Sequence, residues 1–256
     1  MQTEKGVIEM TVNILWMYPD LLNLYGDRGN IMAIKRICES LGADANIIRI
    51  DSVDDDTDFE NSDLMLFSPG ELTTVSAITD ALREKIDAIK EYVENEKYIL
   101  SIGTSAAIFG GEVKRLDRPS FNGLGIGRYD MFEREAIYGD DLIFSCTPTD
   151  LSWEVAGSQI QIADMTLHEG AKEFGEIIYG YGNAHDGREG SRYKNFITTN
   201  ALGPVFVKNP WIIADIIADI LRKKGQEVNP SDLSFELEQK SLAAIKRFNK
   251  NKKTNL

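Results

Sequence analysis

The sequence predicts an α/β fold: a three-layer, mostly parallel, doubly wound sheet with added antiparallel strands. Three observations support this prediction. In the first hundred residues, short apolar runs alternate with stretches of helical periodicity, which is typical of βαβ units and a parallel sheet. Residues 98–110 then have the pattern of a buried strand, a glycine turn and a short helix. In the second half, five short β-like runs follow one another, which indicates antiparallel strands.

The first half of the chain supplies the predicted parallel strands, which are apolar runs that end at turn residues. Apolar residues at helical spacing predict one helix from Ile31 that ends at Gly42, and an amphipathic helix over residues 77–93. The acidic segment 51–60 is expected to be a solvated loop. The predicted strands are residues 11–17, 45–50, 64–67 and 98–102.

The second half is expected to add antiparallel strands to the same core. Residues 211–222 predict an amphipathic helix, with isoleucines on one face and Asp215 and Asp219 on the other. Asn-Pro-Ser-Asp at 229–232 predicts the start of a further helix that runs into a Lys/Asn-rich tail. The β-like runs are residues 129–133, 142–146, 160–163, 176–181 and 196–199.

These elements predict one large domain over residues 11–225. A C-terminal helix and charged tail, residues 226–256, are expected to pack on it or extend from it.

The composition limits the kinds of molecule that the protein is expected to bind. The 256 residues carry a formal net charge of −13, which repels nucleic acid and anionic membrane surfaces. The first ten residues are polar and charged, and the apolar stretch 211–221 is too short to span a bilayer. Cys38 and Cys146 match no metal-ligand or disulfide spacing, so both are expected to be buried and inert. We therefore expect a cytoplasmic protein without a metal or cofactor and without a nucleic-acid or membrane partner.

The strand–turn–helix at 98–110 has the form of a nucleophile elbow. In α/β folds such a turn holds a nucleophile, and backbone N–H groups nearby stabilise the oxyanion. The residue at the apex of the turn is Gly103, which has no side chain to react. The scaffold of an active site is therefore predicted without its central atom.

Several motifs, in this order and spacing, point to one family. They are Leu-Asn-Leu-Tyr-Gly-Asp-Arg-Gly-Asn-Ile at 22–31, Gly-Leu-Gly at 123–125, Gly-Tyr-Gly-Asn at 180–183, Tyr-Lys-Asn at 193–195 and Gly-Pro at 203–204. Through them the chain resembles class I (triad-type) glutamine amidotransferases of the cobyric-acid-synthase-like group. Within that group it is most similar to the glutaminase subunit of lipid II isoglutaminyl synthase, over about residues 11–248.

The resemblance implies that the catalytic pair is missing. Family members carry Cys-Gly-Gly-Tyr-Gln at the elbow, and the spacing to the later Gly-Leu-Gly places Gly103 at the position of the nucleophile. The histidine of the family's His-Gly-Pro, which is the general base, aligns with Leu202. The family's substrate-binding arginine aligns with residues 156–161, where no arginine occurs. Amide hydrolysis by this family requires both the thiolate and the imidazole.

Three functions remain open at this stage. The first is a pseudoenzyme: a non-catalytic binding or partner subunit of a Mur-ligase-like, ATP-dependent synthetase, in peptidoglycan (cell-wall) amidation or a cobalamin-like pathway. The second is an active amidotransferase or amide hydrolase, with Thr104 or Ser105 as nucleophile and His185 or His168 as base. These hydroxyls could equally cap the start of the helix. The third is a stand-alone protein that binds a small polar ligand.

The expected ligand-binding residues are those at the mouth of the elbow: Gly70, Gly103, Thr104, Ser105 and Gln159. Gly70 matches the oxyanion-hole loop of the family, although Pro69 removes one N–H group from it. The missing side chain at Gly103 is expected to leave room for a water molecule or a polar atom of a ligand. Asp27 and Arg28 are interpreted as a self-bonded turn that opens a helix rather than as a ligand site.

Overall fold

The computed structural model describes residues 10–253. Twelve strands lie within these residues: β1 (Met10–Met17), β2 (Ala43–Ile50), β3 (Leu64–Phe67), β4 (Tyr98–Ile102), β5 (Glu112–Lys114), β6 (Phe121–Asn122), β7 (Tyr129–Cys146), β8 (Trp153–Leu167), β9 (Gly175–Tyr179), β10 (Arg188–Glu189), β11 (Ser191–Tyr193) and β12 (Phe196–Thr199). The helices are α1 (Arg28–Ser40), α2 (Leu72–Leu82), α3 (Ile86–Glu94), α4 (Ala106–Phe109), α5 (Val205–Lys208), α6 (Pro210–Lys223) and α7 (Glu236–Lys253).

The first sheet confirms the predicted parallel α/β core. Its strand order is β11-β12-β4-β3-β1-β2, and every pair is parallel except β11–β12. Strands β3 and β4 are buried along their whole length, as expected for a sheet covered on both faces. One hydrophobic cluster joins this sheet to α1 and α6, and another joins it to α2, α3 and α4. The three layers are therefore helices, sheet and helices.

A second six-stranded sheet surrounds a long antiparallel hairpin of β7 and β8, and β5 pairs with β7 in parallel. The run 196–199, predicted as an antiparallel strand, is β12, which pairs in parallel with β4 in the first sheet. The runs 129–133 and 142–146, predicted as separate strands, belong to the single strand β7, whose pairing shifts between Glu133 and Tyr138. Run 160–163 is the middle of β8. The sequence pattern missed these lengths because the hairpin is half exposed around the shift, and polar residues occupy that part.

Three helix predictions need correction. The helix over 77–93 is two helices, α2 and α3, separated by a short 3₁₀ turn at Arg83–Lys85. The last helix begins at Glu236, since Pro230–Asp232 forms only a 3₁₀ turn. Asp215 on α6 is not on a solvated face: it is 1% exposed, because the side of α6 away from the first sheet is also covered.

Some expectations fall outside the described residues or remain predictions. Residues 1–9, part of the polar N-terminal stretch, and residues 254–256 of the charged tail lie outside the described residues. The domain boundary at residue 225 stays a prediction. Within residues 10–253, no helix has both the length and the apolar composition needed to cross a membrane.

Candidate functional site

The elbow follows β4 as the sequence predicts. Gly103 has φ +60, a left-handed conformation that glycine adopts without steric cost. A 3₁₀ turn over Gly103–Ser105 leads directly into α4. The chain therefore has the strand–turn–helix backbone of a nucleophile elbow, with a glycine at the apex.

Ser105 holds this turn together. Its hydroxyl is fully buried and accepts a hydrogen bond from the Ile102 N–H at 3.0 Å. The same oxygen lies 2.8 Å from Ser101 Oγ and 3.0 Å from Phe67 O. These contacts support the capping interpretation of Ser105, because its hydroxyl is occupied by the strand ends around it.

The space above Gly103 is filled by neighbouring side chains. A Cβ atom at Gly103 would lie 2.9 Å from Leu202 Cδ2 and 3.3 Å from Pro69 Cβ, and contacts of this length require a neighbour to move. Leu202 is fixed there by two backbone hydrogen bonds with Ser158, at 2.8 and 3.1 Å. The expectation of a roomier apex is therefore wrong, since Leu202 and Pro69 occupy the place of the missing side chain.

The cavity beside the apex is very small. Its volume is about 20 Å³, and it is lined by Tyr25, Gly103, Thr104, Gln159, Leu202 and seven other residues. Since a water molecule needs about 10–15 Å³ by this kind of measure, the cavity has room for about one.

The Thr104 hydroxyl is bonded to both backbone groups of Gly70. It donates to Gly70 O at 2.5 Å and accepts from the Gly70 N–H at 3.0 Å. The N–H group that the family resemblance assigns to the oxyanion hole is therefore already bonded. Pro69 beside it has no N–H to offer.

A buried polar network extends from one side of the cavity, and we call it the polar wall: Gln159, Gln161, Asn183, Glu189 and Asn200. Gln159, Gln161 and Asn200 line the cavity, and Asn183 and Glu189 are bonded to them. The Gln159 amide donates to Gly182 O at 2.8 Å and to Gln161 Oε1, and its oxygen accepts from the N–H groups of Tyr181 and Gly182 at 3.2 Å. The partners of Gln159 are thus the Gln161 side chain and the backbone groups of Tyr181 and Gly182. Gln159, predicted as a ligand-binding residue, thus lines the cavity with both ends of its amide already bonded.

Glu189 is the centre of the polar wall, and sequence reasoning missed it. The fully buried carboxylate accepts hydrogen bonds from the Thr199 hydroxyl at 2.5 Å and from the Asn200 N–H and side-chain amide at 2.8 and 2.7 Å. Desolvation by burial raises its pKa above the usual value, and these hydrogen bonds oppose the rise. No sequence signal indicates that this glutamate, in the glycine-rich segment 180–190, is buried.

The histidines and cysteines lie elsewhere. His185 is exposed and stacks on Tyr181, with ring centroids 5.1 Å apart. His168 pairs with Asp130 at 3.0 Å. Cys38 and Cys146 are buried, and burial raises the pKa of both thiols, to about 12 for Cys38, which keeps them protonated and inert. Among the described residues, the lining of the elbow cavity includes neither a cysteine nor a histidine.

Asp27 lies beside Ser68, two residues after Tyr25, which lines the cavity. Its carboxyl group is fully buried and accepts from the Asn30 amide at 2.7 Å, and Arg28 pairs with Asp20 at 2.7 Å, which supports the interpretation as a self-bonded turn. Desolvation raises the pKa of Asp27 to about 6. The Ser68 hydroxyl is close enough to oppose that rise, yet Asp27 Oδ2 and Ser68 Oγ lack a hydrogen bond of normal geometry to any described residue.

Of the predicted site residues, the structure brings Gly103, Thr104 and Gln159 to one cavity together with Leu202, and Gly70 joins them through Thr104. Ser105 and His185 do not line that cavity. Among the described residues, no group of three or more His, Cys, Asp or Glu side chains is placed to hold a metal ion.

Two curated proteins are similar to the chain over most of its length. Subunit GatD of lipid II isoglutaminyl synthase (glutamine-hydrolyzing) from Streptococcus pneumoniae R6 is 28% identical over 232 residues, which are 89% of this chain and 88% of that protein. The subunit of the same name from Staphylococcus aureus N315 is 28% identical over 239 residues, 92% of this chain and 95% of that protein. The resemblance to this group, first found in the motifs, is confirmed.

The solved structures agree on the fold. A chain in the structure of PurLQS from Thermotoga maritima matches with a TM-score of 0.50 and 13% identity, over 84% of this chain and 99% of that one. At this identity the match shows the shared architecture alone. No family model matches the sequence.

Proposed function

We propose that this chain is a non-catalytic, glutamine-amidotransferase-like subunit that acts through a partner synthetase in the amidation of a cell-wall precursor. The observation behind the proposal is the packing of the apex. Leu202, at the position that the family resemblance gives to the base, fills the space that a side chain at Gly103 would need. Without a thiol and an imidazole, the family mechanism has neither a nucleophile nor a general base.

The size of the elbow cavity argues against a small-molecule site at the elbow. Small-molecule sites usually have volumes of about 300–1,000 Å³, whereas the elbow cavity has about 20 Å³. The similar proteins are named as subunits of a synthase, which supports a partner synthetase of the Mur-ligase-like type. A cytoplasmic location goes with this proposal, and the two unpaired cysteines fit a reducing compartment.

Hydrolysis by other residues is the alternative function. Thr104 is bonded to Gly70, Ser105 to the ends of β3 and β4, and His185 stacks on Tyr181. A nucleophile and its base must lie within hydrogen-bond reach of each other. The contacts given for these three side chains are with groups other than one another, so they do not form a nucleophile–base pair.

Two measurements test the proposal on the full chain. We expect no sustained ammonia release from glutamine, alone or with the synthetase, while the Streptococcus pneumoniae relative with its own synthetase serves as the positive control. We also expect co-elution with a co-expressed Mur-ligase-like synthetase from the same genome in size-exclusion chromatography. Ammonia release that disappears in Thr104→Ala or Ser105→Ala would support the hydrolase instead. Separate elution would contradict the partner role.

A further inference from the structure

Residues 18–27, which we call the strap, run alongside the loop 68–70 that follows β3. Asp27 lies beside Ser68, the Leu24 N–H donates to Pro69 O at 3.0 Å, and Gly70 packs against Leu22 and the Leu21 carbonyl oxygen. Each residue of the loop thus has one contact with the strap. The contacts run in opposite order along the two segments.

The same loop touches the elbow on its other side. Pro69 Cβ would lie 3.3 Å from a Cβ atom at Gly103, and the Gly70 N–H is bonded to the Thr104 hydroxyl. Tyr25 of the strap also lines the elbow cavity. The strap therefore packs against the loop that supplies Pro69 to the cavity lining, and a movement of the loop away from the elbow would break its contacts with the strap.

Both ends of the strap hold unfavourable backbone conformations. Tyr18 has φ +50 and Tyr25 has φ +61, and Gly26 follows with φ +74. The left-handed region is rare for bulky side chains because Cβ crowds the next carbonyl group. Such outliers persist where the surrounding structure enforces them, and they cluster at switch regions and ligand clamps.

The interface beneath the strap also contains buried polar atoms without well-formed hydrogen bonds. Asp27 Oδ2, Ser68 Oγ and Tyr18 Oη are all buried, and none of them makes a hydrogen bond of normal geometry to a described residue. Asp27 and Ser68 lie close enough for the hydroxyl to lower the pKa of the carboxyl group, but the alignment of the two groups is poor. Burial of such groups without a partner is unfavourable, and exposure to water removes the penalty. The closed position therefore combines two kinds of strain that opening would relieve.

We propose that the strap is a hinged cover of the elbow, with Tyr18 and Tyr25–Gly26 as its hinges. In the closed state it holds loop 68–70 against Thr104 and Leu202. In the open state residues 19–24 move away from loop 68–70, and the loop then separates from Asp27 and from Thr104. This movement exposes Ser68 and enlarges the cavity beside Gly103. This local opening occurs in the folded chain, well below the free energy of global unfolding. The inference does not depend on the identity of the partner proposed above.

Thiol labelling at the two ends of β3 tests this opening. Ser68 and Ser62 are both 1% exposed, but only Ser68 lies under the strap. In the folded chain we expect the thiol of Ser68→Cys to be labelled by a small thiol reagent at least about tenfold faster than that of Ser62→Cys. The native Cys38 and Cys146, 0% and 5% exposed, report global unfolding in the same samples. Equal labelling of Ser68→Cys and Ser62→Cys would overturn the proposal.

A second pair of variants tests the hinge at Tyr25. Tyr25→Asn and Tyr25→Ala both remove the aromatic ring, but asparagine tolerates the left-handed conformation better than alanine does. In the Ser68→Cys background we expect labelling about fivefold slower in Tyr25→Asn than in Tyr25→Ala, because the closed state is less strained. Equal rates would show that the backbone at Tyr25 does not drive opening, which would refute the hinge.

Hydrogen exchange of the unmodified chain tests the same opening without a variant, so it does not depend on the folding of Ser68→Cys. The Leu24 N–H bonds across to Pro69 O, whereas the Ile99 N–H bonds to Asn195 O in the parallel sheet. We expect Leu24 to exchange by local opening, at least about tenfold faster than Ile99 after correction for intrinsic rates. Equal protection of the two amides would contradict a movable strap.

Discussion

Two buried carboxyl groups lie next to residues that line the elbow cavity, and they differ in their hydrogen bonds. Glu189 accepts from three donors on Thr199 and Asn200. Asp27 accepts from Asn30 on one oxygen, and its other oxygen lies near the Ser68 hydroxyl without a hydrogen bond of normal geometry. Burial raises the pKa of both. From this difference we infer that the region around Glu189 is the more rigid of the two. A fully bonded network rigidifies its surroundings, while an unpaired buried group makes the closed state less favourable.

The contrast extends to the backbone of the two regions. The polar wall consists of residues from β8, β10, the loop between β9 and β10, and the segment after β12, and paired strands anchor it. The strap has no strand pairing and includes Tyr18 and Tyr25 in left-handed conformations. We infer that the wall supports the fold and that the strap is the part able to move.

The largest expected effect comes from removing the centre of the polar wall. Glu189→Ala leaves the Thr199 hydroxyl and both Asn200 donors without a buried acceptor, so we expect a loss of about 3 kcal/mol in the free energy of unfolding. Urea denaturation at pH 7.5 measures it. The exposed Glu176 on neighbouring β9 supplies the control, and Glu176→Ala should change stability by less than about 0.5 kcal/mol. Similar small losses in both variants would remove the distinction between wall and strap.

A substitution of Asp27, in the strap, is expected to increase the stability of the folded chain, by an amount that depends on pH. The folded-state pKa of Asp27, about 6, lies above its ordinary value of 3.8. The unfolded chain therefore loses this proton first as pH rises. The native state is destabilised progressively between about pH 4 and 6, and the penalty is constant above that range.

Asp27→Asn removes this titration and keeps an oxygen for Asn30. We expect it to be about 2 kcal/mol more stable than the natural chain at pH 7.5, and to show no gain near pH 4. Urea titrations across pH 4–8 measure the difference, with the exposed Asp56→Asn as a control. A gain of equal size at pH 4 and 7.5 would mean that the buried charge is not its source.

The smallest expected effect tests the packing of the apex. Gly103→Ala and Gly125→Ala both place a side chain at a left-handed position, with φ +60 and +68, but a Cβ atom at Gly125 meets nothing within 4 Å. We expect Gly125→Ala to lose about 1 kcal/mol from the backbone alone. Gly103→Ala should lose about 1 kcal/mol more, from contact with Leu202 and Pro69. Equal losses in thermal or urea unfolding would show that Leu202 yields freely and that the apex is open.

Local sequence signals predicted the elbow and the parallel strands correctly. The run at 98–102 followed by Gly103 and small residues gave the strand, the left-handed turn and the short helix. The motifs gave the family resemblance that the similar proteins confirm. The length of β7 and the break between α2 and α3 were missed, because alternation and helical spacing are weak where residues are half exposed.

The surroundings of the site could not be predicted from these signals. Leu202 reaches Gly103 across 99 positions of sequence, and Glu189 meets Asn200 only because β10 and the segment after β12 come together. The expectation that a missing side chain leaves a space failed for this reason, since the occupant of that space comes from a distant part of the chain.

The sequence by itself determined the strand–turn–helix and the absence of a reactive atom at its apex, because both depend on neighbouring residues and on the chemistry of glycine. Only the tertiary structure decided that the apex is filled, that Thr104 takes up the Gly70 N–H, and that one buried carboxyl group is fully bonded while the other is not. Close packing and hydrogen bonding join groups that are far apart in the chain, so their outcome is set by the folded arrangement as a whole.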